Sequence, residues 1–207
     1  MNLPVPAVGP ADAAGAAPWL AGLINHRQTI LPKRLLDPAP TQDELDLIFR
    51  AAAAAPDHGE RVPWRFILVP QASRGKLAEE FAAALMQRDS AATPDQAAQA
   101  REKAFRSPVL MLVVVNTGSP QDEIPAVERF ISAGCAIQNM LLMATALGYG
   151  SALTSGKAMD YLGLRQLFTL APQEQAVCFL SLGTAARRKP ARARPQAPRF
   201  VSELGGG

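Results

Sequence analysis

The 207-residue chain is 48% hydrophobic and 19% charged, a composition that is typical of one globular domain and excludes an intrinsically disordered chain. Its two cysteines, Cys135 and Cys178, lie far apart and form no C-x-x-C motif. This excludes a disulfide framework and a cysteine-rich zinc site, and it favours a reducing compartment. The first 18 residues carry no lysine or arginine and no apolar core of a secretory signal, so we expect a cytoplasmic protein.

The net charge of +3 is concentrated near the C-terminus. Six of the 21 basic residues lie between Arg187 and Arg199, and only Glu203 opposes them. A nucleic-acid-binding protein more often spreads its basic residues over a folded face with aromatic residues between them. We therefore expect no nucleic-acid partner, and we interpret the tail as a segment that folds over an anionic small ligand. A solvated tail that only aids solubility is the alternative.

The first predicted elements lead to one clear helix start. Residues 1–18 are expected to form a flexible arm, followed by a short helix over about 18–27 and irregular residues 28–40. Thr41 and Glu44 then form a capping box, which predicts that the second helix begins there.

Helices and strands alternate along the rest of the chain. The second helix is expected to end near Pro56, residues 57–63 predict a loop, and the alternating residues 64–69 predict a strand. Further helices are predicted over about 73–88, from Thr93 onward, over 125–147 and over 158–168, and further strands over 109–115, 150–155 and 176–182.

This alternation predicts a layered α/β or α+β domain. The run 109–115 is apolar throughout, which is typical of a strand buried on both faces. The apolar run 131–147 falls just short of a bilayer span, so we expect a helix that is buried on most sides and no membrane partner.

Familiar catalytic motifs are missing from the sequence. It has no P-loop and no G-x-S-x-G, and Leu153 occupies the third glycine position of a dinucleotide fingerprint that begins at Gly148. The only histidines, His26 and His58, have no ligand partner at metal spacing, so we expect no metal site. Without a nucleophile or a paired acid and base, difficult chemistry is expected to reside in a bound cofactor.

Several short motifs follow one another in a fixed order from about residue 20 to 184. The most specific pair is Ala55-Pro56-Asp57-His58 followed by Pro63-Trp64-Arg65-Phe66. The other segments are Asn25-His26-Arg27-Gln28, Asp37-Pro38-Ala39-Pro40-Thr41, Phe105-Arg106-Ser107-Pro108, Ser132-Ala133-Gly134-Cys135-Ala136, Gly148-Tyr149-Gly150, Ser155-Gly156 and Leu182-Gly183-Thr184. Together they resemble the nitroreductase family of FMN-dependent oxidoreductases, in its compact YdjA-like branch.

The resemblance implies an α+β fold, with a central sheet flanked by helices and an intertwined homodimer with two FMN sites at its interface. Residues 19–184 would form the FMN-binding domain and residues 185–207 a basic tail. The apolar helix 125–147 suits a dimer interface of obligate type, although a helix in the core of one chain would have the same sequence.

The resemblance also implies which residues bind the flavin. His26, Arg27 and Gln28 match the segment that meets the FMN phosphate and ribityl chain, where His26 and Gln28 depart from the family pattern. Ala54 stands where the compact branch can carry an arginine, so a cation elsewhere would compensate. The candidates for this are Lys33, Arg34, Arg192 and Arg194, of which Arg194 is assigned to the cofactor.

Four further positions match residues beside the flavin ring. His58 matches a flavin-contacting loop position. Leu153, Thr154 and Ser155 match the segment that lies along the isoalloxazine, and Thr154 replaces a residue that is arginine in related chains. No side chain is expected to act as a nucleophile or as a catalytic acid or base.

The implied activity is hydride transfer from NADH or NADPH, through FMN, to an electron-poor acceptor such as a nitroaromatic or a quinone. Two other classes stay open. One is a flavin-binding or flavin-handling protein without nitroreductase turnover. The other is a transferase or binding domain with no flavin, in which the basic clusters are ordinary surface charge.

Overall fold

The computed structural model describes residues 10–188, 190 and 193–205, with side chains from residue 15 onward. Its centre is a five-stranded sheet with antiparallel pairing. β5 is the central strand, because β3 pairs along one of its edges while β4 and β1 share the other; β2 lies beyond β3. The strands are β1 (Leu35–Leu36), β2 (Trp64–Leu68), β3 (Val109–Asn116), β4 (Gly150–Thr154) and β5 (Glu174–Ala185).

Helices cover both faces of this sheet, so the fold is α+β as the resemblance implies. β3 is buried along almost its whole length, which confirms the strand predicted from its apolar run. The α-helices in the described residues are α1 (Pro10–His26), α2 (Gln42–Ala53), α3 (Arg74–Arg88), α4 (Pro94–Glu102), α5 (Ala126–Ala146) and α6 (Leu162–Leu167).

Alternate residues of the strands enter two separate apolar cores. Met111 and Leu180 belong to the core beneath α2 and α5, which we call the α5 core. Leu112 and Phe179 belong to the core beneath α3 and α6, which we call the α3 core. Each core contains both sheet and helix residues, so the two faces are filled independently.

The predicted capping box at the start of α2 is confirmed. The Thr41 hydroxyl accepts a hydrogen bond from the Glu44 amide at 3.3 Å, and the Glu44 carboxylate accepts one from the Thr41 amide at 2.8 Å. The Tyr149 hydroxyl also donates to Glu44 at 2.8 Å, which ties α2 to the residues that follow α5. The Thr41 amide, and after it the Tyr149 hydroxyl, lower the pKa of Glu44.

β5 contains one irregularity. Val113 of β3 pairs with Cys178, but the next residue, Val114, pairs with Ala176. Val177 is therefore an extra residue, a β-bulge that has no partner on β3. The Val177 carbonyl oxygen accepts a hydrogen bond from the Ser155 hydroxyl at 2.9 Å.

Three elements differ from the sequence-based expectation. The first helix begins at Pro10 and not near residue 18, because residues 11–17 are rich in alanine and proline is favoured at the first helical position. Part of the predicted arm is therefore helical, and residues 1–9 lie outside the described residues. β1 was not predicted, and the helix expected over 158–168 divides into a 3₁₀ turn, Lys157–Asp160, and α6.

Candidate functional site

A cavity of about 630 Å³ opens beside the α3 core. Its floor is the sheet, where Leu110 of β3 and Ser181 of β5 are directly paired and Phe179 lies next to them. One wall consists of α3 and α4, and the opposite wall consists of the residues that follow β4, including Lys157. This volume is within the range of cofactor and substrate sites.

Two buried polar atoms that face this cavity have no hydrogen-bond partner among the described residues. They are the Ser181 hydroxyl and the Arg106 Nε. Ser181 is only 1% exposed, in the middle of an apolar strand. Because a buried polar group without a partner costs about 1–3 kcal/mol, we expect a polar ligand or an ordered water to satisfy this pair.

Arg74, a buried arginine at the start of α3, fixes the turn that carries Arg106 through hydrogen bonds. The Arg74 guanidinium donates to the carbonyl oxygens of Val69 at 2.8 Å, Ala104 at 2.6 Å and Pro108 at 3.2 Å. Burial lowers the pKa of Arg74, and these carbonyl groups compensate part of the lost hydration. The cavity wall around Arg106 is therefore fixed by the fold and not by surface contacts.

A second cluster forms at the N-terminal end of the domain. His26 is the last residue of α1, and Arg27 and Gln28 follow it. The Arg194 guanidinium donates to the carbonyl oxygens of Asn25 and Arg27, each at 3.2 Å. The structure thus brings the predicted tail arginine to the predicted N-terminal segment, although the two are more than 160 residues apart in sequence; Arg192, the other tail candidate, lies outside the described residues.

β4 connects this cluster to the cavity. Thr29 forms a parallel bridge with Ser151 near the start of β4, and the Ile30 amide donates to the Ser151 carbonyl at 2.9 Å. Thr154 at the end of β4 and Ser155 after it line the cavity. Leu153, which precedes Thr154, is exposed and is not among the residues that line the cavity. One end of β4 therefore pairs with the residue that follows the N-terminal cluster, and its other end leads into the cavity.

A family profile matches most of the chain. The Nitroreductase family profile covers residues 24–184, which include the cavity and all of the N-terminal cluster except Arg194. The chain belongs to the nitroreductase family. The cavity and its two buried polar atoms are therefore features of an oxidoreductase.

Individual relatives agree with this assignment. This nitroreductase is 37% identical over 164 residues to "Putative NAD(P)H nitroreductase YdjA" of Escherichia coli strain K12, a match that covers 78% of this chain and 85% of the relative. A nitroreductase-like protein from Bacillus cereus has a similar fold, with a TM-score of 0.77 and 21% identity, over 90% of this chain and 96% of the other. A variant of the FMN- and NADPH-dependent nitroreductase NfnB from Sphigopyxis sp. strain HMH gives a TM-score of 0.69 at 16% identity, over 90% and 99% of the two chains.

Two predicted site residues lie away from the cavity within one chain. Ala54 caps the end of α2, and His58 lies in the loop that follows, where its Nδ1 is 2.8 Å from the Glu128 carboxylate at the start of α5. Both are next to a second cavity of about 430 Å³ that Ala53, Ala55 and Asp57 line. One chain therefore does not bring Ala54 and His58 together with Thr154 and Ser155.

Several cavity residues of the nitroreductase were not predicted as site residues. Arg106 was recognised only as part of a family motif, and Ser181 was counted as a strand residue. A hydroxyl in the middle of an otherwise apolar buried strand was the available signal for Ser181. The remaining polar lining residues, which sequence spacing does not single out, are Arg88, Gln96, Gln99, Lys103 and Lys157.

Neither a membrane span nor a metal cluster is present in the described part of the nitroreductase. Over residues 10–188, 190 and 193–205, no helix combines the length and apolarity needed to cross a bilayer. Within the same residues, no group of three histidine, cysteine, aspartate or glutamate side chains could hold a metal ion.

Proposed function

We propose that this nitroreductase binds FMN and transfers hydride from NADH or NADPH to an electron-poor acceptor such as a nitroaromatic or a quinone. The observation that carries the proposal is the pair of unpartnered polar atoms, Ser181 Oγ and Arg106 Nε, in a 630 Å³ cavity of a nitroreductase-family chain. FMN supplies a ring that accepts a hydride and then gives it to the second substrate.

The phosphate of FMN is assigned to the N-terminal cluster. The Arg194 guanidinium contacts the backbone carbonyl of Arg27 there, and guanidinium groups bind phosphate through paired, charge-assisted hydrogen bonds. His26 and Gln28 flank Arg27 and offer further polar contacts. Because β4 leads from this cluster to the cavity, one elongated ligand can reach both places.

The ring of FMN is assigned to the cavity. The Ser181 hydroxyl can donate to a ring oxygen or nitrogen, and the Arg106 guanidinium supplies a positive charge that stabilises electron-rich states of the ring. Phe81 and Phe179 provide an apolar surface. In a nitro acceptor, two electrons and two protons convert the nitro group to a nitroso group and release water, while NAD(P)H becomes NAD(P)⁺.

We further propose that the active form is a homodimer. Val127 and Ile131 of α5 are 62% and 61% exposed, and Trp19 of the adjoining α1 is 65% exposed. Such apolar residues are typical of interfaces between subunits. A second subunit would also explain why Ala54 and His58 lie apart from the cavity of their own chain, because the partner's cavity would then be the one they approach.

The visible absorbance spectrum of the purified protein after FMN addition and gel filtration tests the cofactor. Retained flavin absorbance that NADH or NADPH bleaches without oxygen, and that a nitroaromatic or quinone restores, supports the reductase. Bound flavin that neither nucleotide reduces favours a flavin-binding protein without turnover, and flavin that elutes separately rejects the proposal. Light scattering tests the dimer, which a flavin-bound particle of 22.0 kDa would contradict.

A further inference from the structure

The residues that line the cavity carry more positive charge than the neighbouring carboxylates balance. Arg88, Lys103, Arg106 and Lys157 line it, and no aspartate or glutamate does. Arg106 forms an ion pair with Glu102 at 3.5 Å, one turn of helix away, which balances part of its charge. Among the described residues, the other three form no ion pair. Such a site raises the local concentration of anions.

Two of these cations lie far from the place assigned to the FMN phosphate. That place is at Arg27 and Arg194, beside the start of β4. Lys157 follows the opposite end of β4, and Arg88 is the last residue of α3 on the facing wall. The phosphate assigned to the N-terminal cluster therefore leaves Arg88 and Lys157, which are both exposed, available to a second ligand.

We infer that the acceptor reduced in this cavity is an aromatic compound with a carboxylate group, and that Arg88 and Lys157 bind this carboxylate. The inference rests on the proposed function. The apolar side chains of Phe81, Leu85 and Phe179 favour an aromatic ring in the ligand. The two cations at the rim of the same cavity favour a carboxylate on that ring.

The matched acceptors 4-nitrobenzoate and 4-nitrobenzamide test this inference, since they have similar shapes and differ in charge. Stopped-flow absorbance measures how fast each acceptor reoxidises the reduced, FMN-loaded enzyme. The comparison is the ratio of the two rate constants in each protein, because the acceptors differ in intrinsic reactivity. In the Arg88→Gln/Lys157→Gln double variant we expect the benzoate-to-benzamide ratio to fall about tenfold. Lys76→Gln, which removes an exposed cation from α3 away from the cavity, should leave the ratio unchanged.

Binding without turnover gives a second readout. Benzoate and benzamide should perturb the flavin absorbance when they bind beside the ring, so titration gives the affinity of each. In the double variant, the ratio of benzoate affinity to benzamide affinity should fall by the same factor as the ratio of rate constants. An unchanged ratio in both measurements overturns the inference while the proposed function stands. Slower flavin reduction by NADH or NADPH with an unchanged benzoate ratio also overturns it, because the cations would then serve the nucleotide. Failure to bind FMN rejects the proposed function and this inference together.

Discussion

Leu180 and Ser181 are neighbours on β5, both are almost completely buried, and they face opposite sides of the sheet. Leu180 is 0% exposed in the α5 core, where apolar side chains surround it. Ser181 is 1% exposed at the floor of the cavity, where its hydroxyl has no partner among the described residues. The α5 core is thus filled by apolar side chains, whereas polar atoms of the cavity face have no partner among the described residues and can bind a ligand or water. The first face stabilises the fold, and the second is available for chemistry.

The largest effect is expected from Leu180→Ala. Removing a fully buried leucine side chain should lower the free energy of unfolding by about 2–5 kcal/mol, because transfer energy is lost and a void remains. Urea denaturation followed by circular dichroism measures this value. Leu68→Ala, at a half-exposed position of β2, serves as the control and should cost far less. Equal losses in the two variants would show that the α5 core is not tightly packed.

Cys178 in the α5 core should make the free energy of unfolding fall at alkaline pH. Burial raises the pKa of the Cys178 thiol from 9.0 to about 11. Between these values the folded state keeps a proton that the unfolded state has lost, so rising pH favours unfolding. About 2–3 kcal/mol of stability should disappear between about pH 9 and pH 11. Denaturation curves of the wild type and Cys178→Ala at several pH values isolate this effect, and identical pH slopes would refute it.

Arg27→Ala tests the phosphate end of the proposed site. Losing a charge-assisted contact to phosphate should cost about 1.5–3 kcal/mol of binding, or roughly ten- to a hundredfold in FMN affinity. Fluorescence titration of the flavin-free protein measures the affinity, with Lys76→Ala as a charge-matched control outside the site. An affinity within twofold of the wild type would mean that Arg27 is an ordinary surface residue.

Ser181→Ala should produce the smallest and most diagnostic change. The flavin-free protein should be as stable as the wild type or slightly more stable, because the variant removes a buried hydroxyl without a partner. FMN affinity should fall by about 0.5–1.5 kcal/mol, the value of one hydrogen bond.

Thr145→Val provides the matched control for Ser181→Ala on the other face. The Thr145 hydroxyl donates to the Leu141 carbonyl at 2.7 Å within α5, so its loss should affect stability and leave FMN affinity unchanged. If Ser181→Ala destabilises the flavin-free protein and leaves FMN affinity intact, the hydroxyl has a structural role.

Local patterns were sufficient to predict most of the fold. The capping box at Thr41 and the apolar run of β3 each specify their element through contacts made within a few residues or through burial on both faces. β1 was not predicted, because a strand of two residues shows no periodicity. These residues form a strand only through their pairing with the C-terminal end of β5. Its assignment depends on tertiary structure.

The candidate site was only partly predictable for the same reason. The N-terminal segment and the residues after β4 were identified from motifs, and the structure joins them through Ser151 and Arg194. The role of Arg88 and Lys157 could not be predicted, because both look like ordinary surface residues in the sequence. Only the fold brings the end of α3 and the turn after β4 to the same cavity. Long-range juxtaposition of this kind leaves no local signal in a single sequence.

The bulge at Val177 determines which residues of β5 enter each of the two faces of the sheet. Ala176 and Cys178 are two positions apart on β5 yet lie in opposite cores, because the extra residue at the bulge shifts the alternation of side chains. A strand that continued regularly from Ala176 would instead place the Ser181 hydroxyl in the α5 core and the Leu180 side chain at the cavity floor. The Val177 carbonyl at the bulge also accepts the hydrogen bond from the Ser155 hydroxyl. We therefore expect deletion of Val177 to remove this acceptor but keep each core's side chains on their own face, whereas deletion of a paired residue such as Phe179 would turn part of β5 over.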